Sequence, residues 1–208
     1  MKNLLLIGDS IRLGYDKSVR KTLEGKANVF FPEENCRFAS YVLRYIQDYI
    51  NEANTNIDVI HWNTGLWDCL RLFEEEPHTP IDVYAYYIDR ICVRIRKFCP
   101  DAKVIFATST SVISEEMGKD FKRYNEEIEA YNQAAVEVVK KYGFEVNDLY
   151  AVSTALPKEA HSDPVHYYTK TGTEAFTNKV LSVVAPYLDI NEELNYVEEM
   201  YTDKPIGI

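Results

Sequence analysis

The sequence predicts an α/β fold, a mainly parallel sheet with helices on both faces. Three observations predict it. The strands read as short continuous apolar runs rather than alternating ones, the pattern of strands buried on both faces. Stretches of helical period separate them, and the connections are short, with no Gly/Ser-rich linker and no internal repeat.

Asn3–Ile7 is the first run, bounded by Gly8, and reads as a central strand. Ala27–Phe31 is the second and is stopped by Pro32. Phe38–Ile50 follows as a helix, with Val42, Leu43, Ile46 and Ile50 at 3.6-type spacing. Ile57–Trp62 is the third strand. Asp82–Phe98 repeats apolar residues at Val83, Tyr87, Ile91, Val93 and Ile95 before Pro100 closes it. Lys103–Ala107 is the fourth strand. Glu115–Tyr142 reads as one long helix with Ile128, Tyr131, Ala135, Val138 and Val139 inward and Gly143 as its stop. Phe144–Val146 is a fifth strand, shorter and nearer an edge, and Thr169–Leu188 the last helix. Residues 1–188 thus form one domain. The acidic stretch 189–208 carries Leu194, Val197 and Met200 at a weak helical spacing, as a docked terminal helix or a tail would.

Composition narrows the function. A chain of 208 residues that is 46% hydrophobic and 27% charged has enough apolar surface for a core. Its net charge of −10 repels phosphate backbones, which argues against nucleic acid. No apolar stretch approaches the roughly 20 residues of a membrane span. Leu4–Ile7 is too short for a secretory core of about 7–15 residues, so a cytoplasmic location is expected. Cys36, Cys69, Cys92 and Cys99 form no C-x-x-C, and no His stands at ligand spacing from them. They read as reduced thiols, with no metal and no cofactor. The 16 tyrosines, against 9 phenylalanines, read mainly as half-buried core.

In such a sheet the ligand sits beyond the carboxyl ends of the strands, so the informative residues follow the apolar runs. After the first stands Gly8-Asp9-Ser10-Ile11-Arg12. A serine there can meet a substrate with backbone N–H groups beside it, although Gly-Asp-Ser is also ordinary turn and capping chemistry. Arg12 replaces the second glycine of a lipase-type elbow. After the third run comes Asn63-Thr64-Gly65-Leu66-Trp67, where the Asn63 amide can point at the mouth of the site or simply make a turn. Near the end stands Asp163-Pro164-Val165-His166, whose spacing lets a carboxylate orient one imidazole nitrogen and leave the other free, as a serine nucleophile requires.

Together, Gly-Asp-Ser, Asn-x-Gly-Leu and Asp-x-x-His resemble the SGNH (GDSL-type) hydrolases from about Asn3 to Leu188, in that family's order and spacing. The resemblance implies a flavodoxin-like three-layer α/β/α sandwich with a five-stranded sheet and a cofactor-independent serine esterase. Ser10 would be the nucleophile, His166 the base and Asp163 its orienter. The oxyanion hole would take Asn63, the Ser10 N–H and a backbone N–H after the second strand, for which Cys36 stands where the family usually has glycine. Asp9, Arg12, Leu66 and Trp67 are the candidate substrate contacts. The implied partner is a small acyl ester, such as an acetyl group on a sugar. Two departures are His61 and Thr64, where the family often has Gly and Asp. His61, on a strand, reads as packed and hydrogen-bonded. The competing class is a phosphate-binding or interaction protein that holds an anion with Arg12. It leaves Asp163 and His166 without a purpose.

Overall fold

A computed structural model of the chain describes residues 1–202. Strands β1 (Asn3–Ile7), β2 (Asn28–Phe30) and β3 (Val59–Trp62) come first, then β4 (Arg71–Leu72), β5 (Lys103–Ala107), β6 (Phe121–Lys122) and β7 (Glu145–Asn147). The helices are α1 (Ser10–Leu13), α2 (Asp16–Thr22), α3 (Ala39–Glu52), α4 (Ile81–Phe98), α5 (Asn125–Lys141), α6 (Leu149–Ala155) and α7 (Lys170–Val184). The main sheet is fully parallel in the order β2-β1-β3-β5-β7. This is the expected flavodoxin-like sandwich, with α3, α4 and α5 packed side by side on one face and α2, α6 and α7 on the other.

Leu4, Leu5, Leu6 and Ile7 are buried, as a strand covered on both faces requires. β1 pairs with β2 on one side and β3 on the other, so the strand order reverses there and the crevice opens beyond Ile7 and Trp62. The helices present apolar stripes to the sheet: Val42, Ile46, Tyr49 and Ile50 from α3, and Tyr84, Ile88, Ile91, Cys92 and Ile95 from α4.

One expectation is corrected, and of the two alternatives for the C-terminal stretch the helix falls. The helix expected over Glu115–Tyr142 begins only at Asn125. Phe121–Lys122 pairs antiparallel with Arg71–Leu72 as a two-stranded ribbon, and the apolar period starts only at Ile128. The stretch after Leu188 is no helix among the described residues: it runs extended along α2. The Val197 N–H donates to Thr22 Oγ1 (3.0 Å) and the Glu199 N–H to Ser18 Oγ (2.9 Å), while Ile190 and Leu194 pack on the core. Residues 203–208, the end of the expected tail, lie outside the described residues. None of the helices among the described residues is long and apolar enough to cross a membrane.

Arg12, a candidate substrate contact, is instead a clamp. It is fully buried, and its guanidinium donates to Asp16, to Pro32 O (2.8 Å) and to Glu34 O (2.5 Å). The loop between β2 and α3 is thereby tied to the first turn after β1, and the anion that meets this cation is the chain's own Asp16. Burial pushes the Asp16 carboxyl up to about 6 against the pull of Arg12. Removing one partner of a buried pair leaves the other charge stranded, at a cost of about 3–5 kcal/mol. Arg12→Met should therefore lower unfolding free energy by about that amount in a urea titration; a loss below about 1 kcal/mol would show that the loop does not depend on the clamp.

Candidate active site

The site is assembled from the ends of neighbouring strands. Ser10 follows β1, Asn63 follows β3, and Cys36 lies on the loop after β2. His166 and Asp163 come from the loop before α7. The structure brings Ser10, His166 and Asp163 together across a sequence separation of 156 residues: Ser10 Oγ stands 2.8 Å from His166 Nε2. His166 Nδ1 lies 2.8 Å from Asp163 Oδ2 and 3.0 Å from Oδ1.

The Asp163 turn makes its own acceptor geometry. Oδ1 also accepts the N–H groups of Val165 (2.8 Å) and His166 (2.9 Å). Burial works against ionisation of this carboxyl, but the His166 ring and these N–H groups outweigh it and hold the group below its ordinary range. A charged acceptor beside Nδ1 fixes the N–H there, so Nε2 carries the lone pair and the Ser10 hydroxyl donates to it. Tyr168 backs the imidazole, its ring centroid 4.9 Å away, and its hydroxyl donates to Ser10 O (2.5 Å). Tyr201 packs on Tyr168, at 4.9 Å, so the C-terminal segment touches this stack.

Asp9 is fully buried and joins the other half. Its Oδ1 accepts the Ile11 N–H (3.0 Å), capping α1, and the Asn63 Nδ2–H (3.0 Å). Burial raises its pKa, against those bonds and the nearby charges of Arg123 and His166. The Asn63 amide carries two protons and only one is engaged by Asp9. Gly8 makes the approach possible: a Cβ there would lie 1.9 Å from Asn63 Oδ1. Asp9, expected as a substrate contact, thus holds Asn63 instead.

The Cys36 N–H donates to Gly8 O (3.1 Å), so a hole using it requires that bond to exchange. Arg37, one residue on, takes the left-handed conformation (φ 45°) that favours glycine, and its N–H donates to Asn35 Oδ1 (2.9 Å). The Cys36 thiol is buried, which raises its pKa, although nearby Arg12 pulls it down. Leu66 is buried, while Trp67 is half-buried, edge-on to Phe38 (5.4 Å), which stacks on His78 (4.2 Å). His61 is core: Asn147 Nδ2 donates to its Nε2 (3.0 Å), and burial lowers its pKa to about 3.

Asp68 ties the Asn63 loop to α3. Its carboxylate accepts the Ala39 N–H (3.0 and 3.2 Å) in place of an N-cap side chain, and the Thr64 hydroxyl (3.2 Å). Sequence reasoning missed three residues: Asp68, Tyr168 and Arg123. The first two lie one and two residues beyond stretches already singled out, and their acid or aromatic character beside the motif was the signal. Arg123 carried no signal, because its segment read as helix.

No family model and no curated protein matches the sequence. Solved structures match the fold. A lipase/acylhydrolase from Enterococcus faecalis has a TM-score of 0.72 at 16% identity, covering 96% of this chain and 100% of its own. An acetylxylan esterase from Geobacillus stearothermophilus has a TM-score of 0.68 at 15% identity, covering 92% and 95%. A GDSL-like lipase from Bacteroides thetaiotaomicron has a TM-score of 0.70 at 14% identity, covering 89% and 88%. The fold is therefore that of these ester-hydrolysing enzymes. Identity this low speaks for the fold alone, and the chemistry rests on the side chains.

Asp68 gives the site a pH signature. Burial raises its pKa to about 7, although its hydrogen bonds from Ala39, Thr79 and Thr64 lower it. A raised acid holds its proton longer in the folded state, so its stabilisation is complete below the unfolded value and is lost as pH rises towards 7. Unfolding free energy should fall across pH 4–7 by up to about 1.4 kcal/mol per pH unit for this group. Chemical denaturation at several pH values should show a shallower fall for Asp68→Asn, and an unchanged slope would remove Asp68 as the source.

Proposed function

We propose that the protein is a serine ester hydrolase acting on small acyl esters. One observation carries this reading: the unbroken chain from Ser10 Oγ through the His166 ring to Asp163, at 2.8 Å in both links. The turn that Asp163 makes with the Val165 and His166 N–H groups gives by itself no reason for His166 to meet a serine from the other end of the chain.

In this reading His166 Nε2 takes the Ser10 proton as Oγ attacks the ester carbonyl. Asp163 steadies the imidazolium that forms. The negative charge arising on the carbonyl oxygen is met by the second Asn63 Nδ2–H and by the Ser10 N–H, which lies in the first turn of α1 and has no acceptor within that helix. Cys36 would add a third donor once its bond to Gly8 O opens. His166 then protonates the departing alcohol, and a water deprotonated by the same nitrogen releases the acid.

The acyl group is small, and an acetyl ester of a carbohydrate suits it best. Ser10 and His166 are each only 3% exposed, and Trp67 and Phe38 pack together beside the Asn63 loop, which leaves little width for a long chain. Two of the similar folds are described as acetylxylan esterases.

A fluorophosphonate probe should add covalent mass at Ser10, and Ser10→Ala should abolish it. Labelling elsewhere, or none, would sink the reading. Ser10→Ala and His166→Ala should each remove most turnover, and the double variant should be little worse, because the two act as a unit.

Asn63→Ala should lower kcat by roughly 10²–10³ with little change in KM. Normal kcat per folded molecule would move the oxyanion hole elsewhere.

A further inference from the structure

Tyr168 touches both members of the reacting pair. Its ring centroid lies 4.9 Å from that of His166, with the two planes 30° apart, a packing that opposes rotation of the imidazole. Its hydroxyl donates to Ser10 O at 2.5 Å. That oxygen is open to it because the Gly14 N–H closes α1 on Ile11 O (3.1 Å) instead of reaching back to Ser10. Gly14 also lets the ring come this close, since a Cβ there would lie 2.9 Å from Cδ1 and Cε1 of Tyr168. One side chain thus holds the backbone of the serine and the ring of its base. Tyr201 in turn packs on Tyr168, centroid to centroid 4.9 Å, and the segment that carries it is bound at several points. Ile190 and Leu194 pack on the core, and Glu192 pairs with Lys26. The Val197 N–H donates to Thr22 Oγ1 (3.0 Å). Ser18 Oγ accepts the Glu199 N–H (2.9 Å) and donates to Glu199 O (3.0 Å). Ser18 and Thr22 lie one turn apart on α2, and Lys17 of the same helix stands over the Tyr201 ring at 5.8 Å.

We propose that Tyr201 is a positioning residue: acting through Tyr168, it holds Ser10 and His166 in the arrangement that reacts, so that residues 190–201 belong to the catalytic unit. This rests on the esterase reading above. Neither tyrosine gives a proton or a charge to the reaction. Burial keeps the Tyr168 hydroxyl protonated, so it stays a donor to Ser10 O. What the two rings supply is restraint. Without Tyr201, Tyr168 loses one of the groups that hold it, and with it the imidazole and the Ser10 peptide gain freedom. A misplacement of about 1 Å at the reacting atoms can cost on the order of 10²-fold in rate, so a contact remote from the ester is enough to matter.

The rate at which a fluorophosphonate labels Ser10 reports the activated hydroxyl without need of the natural substrate. Tyr201→Ala should slow labelling by about tenfold or more, and Tyr201→Phe, which keeps the ring, should restore most of the rate. Hydrolysis of p-nitrophenyl acetate should split the same way, with kcat reduced and KM little changed. Tyr168→Ala should be slower than Tyr201→Ala. The double variant should be no slower than Tyr168→Ala alone, because Tyr201 acts through Tyr168. Losses that multiply would overturn the proposal, as would a Tyr201→Phe protein as slow as Tyr201→Ala. If the ring only tacks down the segment, Tyr201→Ala lowers Tm and labels at the wild-type rate, which refutes the assignment. Faster labelling also refutes it, by showing that the segment obstructs Ser10 rather than supporting it. Should Tyr168→Ala fail to fold, the Tyr201 variants decide: slow labelling restored by phenylalanine supports the assignment, and equal rates in all three proteins refute it. A wild-type Ser10 that takes no probe would remove the esterase reading and this proposal with it, a failure distinct from an active serine indifferent to Tyr201.

Discussion

Asp9 connects three parts of the chain through a carboxylate that no solvent reaches. By accepting the Ile11 N–H it starts α1 only two intervening residues after the end of β1, which sets the direction of the Ser10 side chain. By accepting from Asn63 it also fixes the end of β3 against the end of β1, and Gly8 leaves the room that this contact needs. Hydrogen bonds to a buried acid are strong, and their loss strands the group, so these positions are determined together rather than separately. The remaining parts of the site are set relative to this contact.

The two ends of the sheet are built on different physics. Its interior from β1 to β5 is hydrocarbon apart from His61, whereas the carboxyl ends collect buried polar groups: Asp9, Arg12, Asp16, Asn63, Asp68 and Arg123. Each costs desolvation, and most recover it through named partners, Arg12 with Asp16 and Asp68 with Ala39 and Thr64. Such a concentration rigidifies the loops that hold Ser10, Asn63 and His166. It also explains why carboxyls there are pushed towards their neutral forms while Asp163, bonded to an imidazole and two N–H groups, stays ionised.

How much was legible depended on the range of the interaction. Ser10, Asn63, Asp163 and His166 stood out because their residue types follow strand ends or share one turn, relations that span a few positions. Arg12 also stood out, and its role was misjudged: a cation beside a serine looks like an anion site until Pro32 and Glu34 are seen to close around it. The ribbon of Arg71–Leu72 with Phe121–Lys122 left no trace, since two-residue strands carry no period. The weak helical spacing of Leu194, Val197 and Met200 was overridden by hydrogen bonds to Thr22 and Ser18 on α2.

The sequence by itself determined the five strands of the main sheet, the main helices, their alternation and hence the layered sheet, because apolar period is a local property that burial enforces everywhere along the chain. It also determined which residues are chemically able to form a serine–histidine–carboxylate chain. Only the tertiary structure decided that Ser10 and His166 meet, that Asp9 serves Asn63, that Arg12 is spent on a loop and that Arg123 arrives from a segment read as helix. Those outcomes depend on contacts between distant positions, where packing fixes distances of a few ångströms that no spacing along the chain encodes.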